Sequence, residues 1–231
     1  MKKHLFRWLW RALLLALMLA LAIQLWFFIQ IFYWRDNNPS DTRFMRLAQA
    51  ELRARNPQGR LSHTWAPYER ISIHLKRAVI AAEDGRFLEH DGFDLDGIQL
   101  ALEKNLARGQ TRAGGSTITQ QLAKNLFLSP TRSYLRKGQE AIIAMMIEAL
   151  WSKRRILEVY LNVAQWGELI FGAEAAARHY YRSSAARLGP EESARLAVML
   201  PNPRRYGRSF GPAQQARAQR IRSYMDGTLV P

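Results

Sequence analysis

Residues 114–125 read GGSTITQQLAKN, a polar stretch in which three hydroxyls and two adjacent amides run directly into a lysine and an asparagine. Thr117, followed three residues later by Gln120, fits a capping box, so a helix is predicted to begin here and to run to about Leu126. Free N–H groups at a helix start favour anions, and the glycine pair lets the backbone approach a ligand closely. Gln120 and Lys124 share one face of this helix. Two interpretations stay open: a capped helix after a loop, or a surface for phosphate and sugar oxygens.

A second polar block lies upstream, where residues 78–94 read AVIAAEDGRFLEHDGFD. Glu83 ends a strongly apolar helical stretch predicted over residues 72–83, which should desolvate its carboxylate and favour the neutral form. Such a carboxylate suits general acid or base catalysis. The alternative is that Glu83 and Asp84 are a solvated acidic pair at a helix end, and this block alone does not decide between the two.

A third block places cations around another glutamate, because Arg136 and Lys137 precede Glu140 by four and three residues. Intrahelical ion pairing explains this spacing and is worth only about 0.2–0.5 kcal/mol. Glu140 also precedes an apolar run, residues 141–147, so it should enter a core with cations beside it. Further along, Tyr160 is interpreted as plain packing.

The N-terminal region contains an uncharged run of 23 residues, positions 12–34. A helix of that length, at about 1.5 Å per residue, spans the roughly 30 Å hydrocarbon layer of a membrane. Aromatic residues crowd its far end, as they do at membrane interfaces. A cleaved signal peptide is the alternative, since Ala20-Leu21-Ala22 resembles a cleavage site, but the run is long for a signal core. A retained transmembrane anchor is therefore predicted.

Charge gives the orientation and limits the partners. Lys2, Lys3, Arg7 and Arg11 precede the anchor without an acidic residue, so the N-terminus is predicted in the cytoplasm and the body outside. The rest of the chain keeps a net charge of +11, which suits anionic lipid headgroups or a phosphate-bearing substrate at the bilayer surface. Nucleic acid is not expected for a body outside the cytoplasm. The absence of cysteine excludes disulfides, zinc thiolate sites and thiol nucleophiles.

The predicted organisation is a mainly α protein. A cytoplasmic basic tail covers residues 1–11, a transmembrane helix 12–34, a juxtamembrane linker 35–60 and a catalytic domain 61–231. Helices are predicted over residues 41–55, 72–83, from Asp94 or Asp96 to 108, 117–126, 135–151, 154–163, 171–181, 190–200 and 212–225. Residues 61–68, LSHTWAPY, are the only plausible extended segment.

In this order, five blocks resemble the monofunctional peptidoglycan glycosyltransferases of glycosyltransferase family 51. They are EDGRFLEHDGFD at 83–94, GGSTITQQLAKN at 114–125, RKGQE at 136–140, KRRILEVYLN at 153–162 and GAEAAARHYY at 172–181. The first two are long and specific, and the resemblance extends over residues 63–203. Leu95 stands where an aromatic residue is common and Tyr181 where phenylalanine is usual. Neither departure touches the implied chemistry.

The resemblance implies a lysozyme-like, two-lobed α domain with a cleft open toward the membrane. It implies that Glu83 is the catalytic base, Glu140 a second essential glutamate and Asp84 a companion acid. The polar cleft block would comprise Ser116, Gln120, Gln121, Lys124 and Asn125. The cations around the pyrophosphates would be Lys124, Arg132, Arg136 and Lys137.

The resemblance also implies polymerisation of lipid II onto a growing glycan chain, with inversion and release of undecaprenyl pyrophosphate. No cofactor is required, although a divalent cation (Mg²⁺ or Mn²⁺) has a candidate ligand in Asp84. Other cell-wall synthases and division proteins are the expected protein partners, at the inner membrane. No serine is followed three residues later by lysine, so the chain should not be a penicillin target. Two rivals stay open: a lytic transglycosylase of the same fold, and a non-enzymatic membrane-anchored scaffold.

Overall fold

A computed structural model describes residues 2–108, 115–131 and 133–231. The chain forms two units, Met1–Asn38 and Pro39–Pro231. The first unit is the helix α1, Lys2–Asp36. Its segment Phe6–Asp36 is long and apolar enough to cross a membrane, with a mean hydropathy of 2.5 in its most apolar 18-residue window. The predicted N-terminal apolar helix is therefore confirmed, although it extends beyond residues 12–34 because helical hydrogen bonding continues through the charged flanks.

The second unit is built almost entirely from helices, so the predicted mainly α fold is confirmed. The helices are α2 (Arg43–Arg55), α3 (Ile73–Glu83), α4 (Leu95–Arg108), α5 (Ile118–Phe127), α6 (Tyr134–Leu150), α7 (Lys153–Val163), α8 (Ala173–Tyr181), α9 (Pro190–Met199), α10 (Pro203–Tyr206) and α11 (Pro212–Tyr224). Short 3₁₀ turns cover Tyr68–Arg70, Ala185–Arg187 and Met225–Gly227.

Hydroxyl side chains define where many of these helices begin. The side chain of each capping residue accepts a backbone N–H of the first turn, which satisfies one of the donors that a helix start leaves free. The residues that do this are Thr42, Ser72, Thr117, Ser133 and Ser152. At α5 the complete capping box is present, as the sequence predicts, with Gln120 accepting from the backbone of Thr117.

The strands Ser62–His63 (β1) and Ile170–Phe171 (β2) form one short parallel pair, with Ser62 opposite Ile170. The extended segment expected near residue 61 is thus present in part. The prediction of a helix from residue 171 is wrong at its start, because Phe171 belongs to β2 and α8 begins at Ala173. Gly172 separates them with a φ of +85°, and a Cβ there would lie 2.6 Å from the carbonyl oxygen of Asn162. Only glycine fits this turn without strain.

Two groups of helices hold the core. Helix α3 packs on α9 and α11, while α5 packs on α6 and α7. The side of α5 that meets its neighbours is mostly apolar, with Ile118, Leu122 and Ala123 inaccessible to solvent. Burial of side chains of the size of Ile118 and Leu122 is worth about 1.5–3 kcal/mol each. This packing fixes α5 beside the end of α3, which brings the two long polar blocks together.

Candidate active site

Glu83 is the last residue of α3, and its side chain is only 9% exposed. Its two oxygens are in different environments. Oε2 accepts a hydrogen bond of 2.9 Å from the side-chain amide of Gln121. Oε1 is buried and has no hydrogen-bond partner. One oxygen of this carboxylate is therefore fixed, and the other keeps its lone pairs.

Burial raises the pKa of Glu83, as the apolar stretch before it predicts. The hydrogen bond from Gln121 and the positive charges of Arg217 and Lys124 oppose this increase, while the neighbouring Asp84 adds to it. A carboxyl group with a raised pKa is a stronger base once ionised. The solvated-pair interpretation is therefore wrong for Glu83.

Tyr160 fixes the orientation of Gln121. Its hydroxyl donates a hydrogen bond of 2.8 Å to Oε1 of Gln121, which leaves the amide nitrogen to face Glu83. Burial raises the pKa of Tyr160 well above its usual value, so the hydroxyl keeps its proton. Tyr160 is buried, as plain packing requires, but it also belongs to the hydrogen-bond chain that ends at Glu83. Its spacing within α7 gives no sign of this role.

Asp84 connects the end of α3 to the start of α5. Its side chain is 1% exposed, and Oδ2 accepts the backbone N–H of Ile118, the first residue of α5, at 2.9 Å. Oδ1 lies 2.8 Å from Nε2 of His90. Because Nδ1 of His90 accepts the N–H of Gly92, Nε2 carries the proton and donates it to Asp84. Both carboxylate oxygens therefore serve contacts within the fold.

The polar block at 114–125 divides into buried and half-buried residues. Gln120 is 4% exposed and Asn125 is 8% exposed. The amide oxygen of Gln120 accepts the N–H of Thr117 at 3.2 Å. Helix capping therefore explains Gln120, as the interpretation of a capped helix after a loop predicts. Ser116, Gln121 and Lys124 are half-buried. These three side chains of the block remain partly accessible to solvent.

Glu140 lies between the two cations that the sequence places beside it. Its side chain is 4% exposed, and its oxygens accept hydrogen bonds of 2.5 Å from Arg136 and from Lys137. Lys137 also donates to the hydroxyl of Ser116 at 3.0 Å, which joins the first turn of α6 to the segment before α5. Arg132, a predicted pyrophosphate ligand, lies outside the described residues.

Lys124 lies close enough to Glu83 and Glu140 for their negative charges to act on its ammonium group. Burial lowers its pKa, as do Arg136 and Lys137, while Glu140 and Glu83 act in the opposite direction. Its ammonium group also lies 5.8 Å from the ring centroid of Phe44, on α2. Together, Lys124, Arg136 and Lys137 form a cation cluster around Glu140, and Lys124 is the member whose charge acts on Glu83.

A cavity of about 170 Å³ opens at the junction of the two long polar blocks. Glu83, Asp84, Ser116 and Thr117 line it, together with Ala81, Ala82, Gly85, Asp94, Gly97 and Gly115. A polar ligand in the cavity would contact the base candidate and the start of α5 together.

Sequence patterns give no indication of two further features. Arg217 of α11 approaches Glu83, with Nη2 lying 3.9 Å from Oε1. The second is a buried link in which Glu148 accepts from Thr119 at 2.5 Å and from Lys153 at 2.8 Å. Lys153 also donates to the carbonyl of His90, so this link secures the turn that holds Asp84. Apart from Lys153 and Glu148, which are five positions apart, these contacts join residues far apart in the chain.

The residues around Glu83 do not form a donor set for a divalent cation. Both oxygens of Asp84, the candidate ligand, already accept hydrogen bonds. Among residues 2–108, 115–131 and 133–231, no three His, Cys, Asp or Glu side chains gather in a group that could hold a metal ion.

Comparison with known proteins identifies the family. Residues 50–226 match the family model described as Transglycosylase. The biosynthetic peptidoglycan transglycosylase of Azoarcus sp. (strain BH72) is 65% identical over 229 residues, covering 99% of each chain. Proteins of the same name from Aromatoleum aromaticum and Thiobacillus denitrificans are 62% and 55% identical, covering 96% and 99% of each chain. The chain therefore belongs to the peptidoglycan transglycosylase family.

Proposed function

We propose that this enzyme polymerises lipid II into glycan strands, with Glu83 as the general base. The observation that carries the proposal is a buried carboxylate with one unbonded oxygen, together with the cation cluster Lys124, Arg136 and Lys137, of which Lys124 acts on Glu83. A general base must accept a proton from the attacking hydroxyl, and the cations must neutralise a departing pyrophosphate. The same site supplies both requirements.

The reaction is a single displacement. Oε1 of Glu83 takes the proton of the 4-hydroxyl of the acceptor N-acetylglucosamine, and that oxygen attacks the anomeric carbon of the donor N-acetylmuramic acid. The bond from this carbon to the pyrophosphate oxygen breaks, and its electron pair leaves with undecaprenyl pyrophosphate. An α-linked phosphate becomes a β-1,4 glycosidic bond, so the transfer inverts and needs no covalent sugar–enzyme intermediate.

The cation cluster acts on the leaving group. As the bond breaks, negative charge accumulates on the pyrophosphate, and positive groups fixed before the reaction stabilise it without reorganisation. Glu140 holds Arg136 and Lys137 in place through its two ion pairs, so we assign it a positioning role in which it need not contact substrate. Within this cluster, Lys124 is the cation whose charge lowers the pKa of Glu83.

The apolar α1 is compatible with a membrane anchor, and we propose that it keeps the enzyme at the inner membrane, where its lipid-linked substrate lies. The positive-inside rule supports a cytoplasmic N-terminus and a catalytic domain outside. A membrane anchor replaces a three-dimensional search for substrate with a two-dimensional one. Other cell-wall synthases and division proteins are the protein partners we propose, because they work on the same glycan.

A lytic transglycosylase is the rival with the same fold. It would need the catalytic glutamate but no pyrophosphate site, so the cation cluster argues against it. A non-enzymatic scaffold would need neither the unbonded oxygen of Glu83 nor the chain from Tyr160 through Gln121 that orients it. Relatives that are named biosynthetic also argue against a lytic role.

The deciding experiment incubates the full-length enzyme in detergent with lipid II or with finished peptidoglycan. We expect consumption of lipid II, appearance of glycan strands and no cleavage of peptidoglycan. Glu83→Gln should lose activity by at least the roughly 10²–10⁴-fold typical of a general base, while still binding a substrate analogue. Near-normal polymerisation by this variant would show that Glu83 is not the base, and cleavage of peptidoglycan would favour the lytic rival.

A further inference from the structure

Arg217 on α11 faces the one oxygen of Glu83 that has no hydrogen bond. Nη2 of Arg217 lies 3.9 Å from Oε1 of Glu83, too far for a hydrogen bond but close enough for strong attraction between the charges. We propose that Arg217 is a positioning residue of the catalytic site, which favours the ionised form of Glu83 while leaving the lone pairs of Oε1 without a hydrogen bond. This inference rests on the proposed function, in which Glu83 is the base.

The distance between these two groups is what makes the arrangement useful. A guanidinium hydrogen-bonded directly to Oε1 would occupy the lone pair that must receive the proton. Glu140 shows that alternative in the same site, since both of its oxygens are bound directly by Arg136 and Lys137. Glu83 has instead one hydrogen bond, from Gln121, and the positive charges of Arg217 and Lys124 at a distance. The negative charge of Glu83 is stabilised, and Oε1 has no hydrogen bond that would block its lone pairs.

Packing of α11 holds Arg217 over the end of α3. Ala218 and Ile221 are buried, and α11 contacts both α3 and α9. Near the end of the helix, the hydroxyl of Tyr224 donates to the carbonyl of Ala81, two residues before Glu83. Within the ranges that the structure describes, the Arg217 side chain makes no other ion pair or hydrogen bond. No competing partner therefore holds its charge away from Glu83.

The other charged and titratable groups around Glu83 do not replace Arg217. Lys124 and Gln121 face it from α5, Tyr160 from α7, and Asp84 follows it in the chain. Tyr160 is neutral, and Asp84 disfavours ionisation of Glu83. Lys124 is assigned to the pyrophosphate, whose negative charge offsets its effect once substrate is bound. Arg217 is then the cation that still stabilises the ionised form of Glu83 when substrate is bound.

The test is the pH dependence of lipid II polymerisation, measured as kcat/KM for the full-length enzyme. Removing the positive charge in Arg217→Gln should raise the pKa of Glu83, so the acid limb of the profile should move to higher pH. Activity should fall severalfold on the acid side and recover on the alkaline plateau. Arg217→Lys should shift the limb less. Arg220→Gln, an exposed arginine on the same helix, is the matched control and should follow the wild-type profile.

An unchanged acid limb in folded Arg217→Gln overturns the inference, and so does an equal loss at every pH, which would indicate a structural or substrate-binding role. Folding is checked by thermal unfolding. If Arg217→Gln does not fold, Arg217→Lys is decisive, since the absence of any shift there overturns the inference too. Glu83→Gln separates the two proposals: retained activity refutes Glu83 as the base, whereas an inactive Glu83→Gln with a wild-type profile for Arg217→Gln refutes the inference alone.

Discussion

At the scale of single residues, the two glutamates of the site have opposite arrangements. Glu83 keeps one oxygen without a hydrogen bond, whereas both oxygens of Glu140 are held by cations. Glu83 can therefore accept a proton, and Glu140 can order the positive groups. Sequence spacing could predict that Glu140 has Arg136 and Lys137 beside it, because an i, i+4 relation is local. Spacing could not predict which oxygens remain free, since that depends on contacts from other helices.

Glu140→Gln should destabilise the domain, because a neutral amide in this position leaves Arg136 and Lys137 without their shared carboxylate. Loss of a charged hydrogen bond costs about 1.5–3 kcal/mol, and we expect the lower part of that range because Lys137 is 46% exposed. Thermal unfolding measured by circular dichroism should show a Tm lower by several degrees. Activity should fall along with affinity for a substrate analogue.

The matched control for that variant is Glu191→Gln. Glu191 lies 3.9 Å from Arg222 in an exposed pair, so its Tm should hardly change. If Glu140→Gln kept the wild-type Tm while losing activity, Glu140 would act on the substrate directly and the positioning role would be wrong.

At the scale of elements, the site is a junction between the end of α3 and the start of α5. The sequence predicts the start of α5 well, because the box formed by Thr117 and Gln120 is local. The hydrogen bond from Ile118 to Asp84 joins positions far apart in the chain, and no local pattern encodes it. For the same reason β2, a strand of two residues, and the approach of Arg217 on α11 were not predictable.

Asp84→Asn should weaken this junction. An amide offers one acceptor where two donors, the N–H of Ile118 and Nε2 of His90, now bind, so one donor would face the NH₂ group. We expect a loss of about 1–3 kcal/mol in the free energy of unfolding, seen as a lower Tm. Activity should decrease too, because Glu83 precedes Asp84 directly.

A double-mutant cycle with His90→Ala tests whether Asp84 acts through the junction. The two effects on Tm should be clearly less than additive, since both variants break the same contact. A chelator should change the activity of the wild type and of Asp84→Asn to the same small extent. An unchanged Tm, combined with activity that only the wild type loses on chelation, would instead make Asp84 a metal ligand.

At the scale of the whole molecule, charge and hydropathy separate the chain into parts with different partners. The chain carries a net charge of +15, and four of its cations precede the apolar run of α1 without an acidic residue among the first eleven positions. This asymmetry is a property of composition, which is why the sequence predicts it without any knowledge of packing. The family relationship, which covers residues 50–226, supports a location in the cell envelope.

The charge asymmetry predicts the orientation of α1 in the membrane. A reporter enzyme that is active only outside the cytoplasm, fused after Pro231, should be active in cells, because positive residues before an apolar helix are retained on the cytoplasmic side. Replacing Lys2, Lys3, Arg7 and Arg11 with glutamine should reduce that activity, while the same replacement at Arg204, Arg205, Arg208 and Arg220, which lie near the other end of the sequence, should leave it unchanged. A reporter active only in the cytoplasm would place the domain on the wrong side for polymerising glycan outside the cell. That result would refute the orientation and the proposed function together, since Glu83 and its cation cluster could not then reach strands growing beyond the membrane.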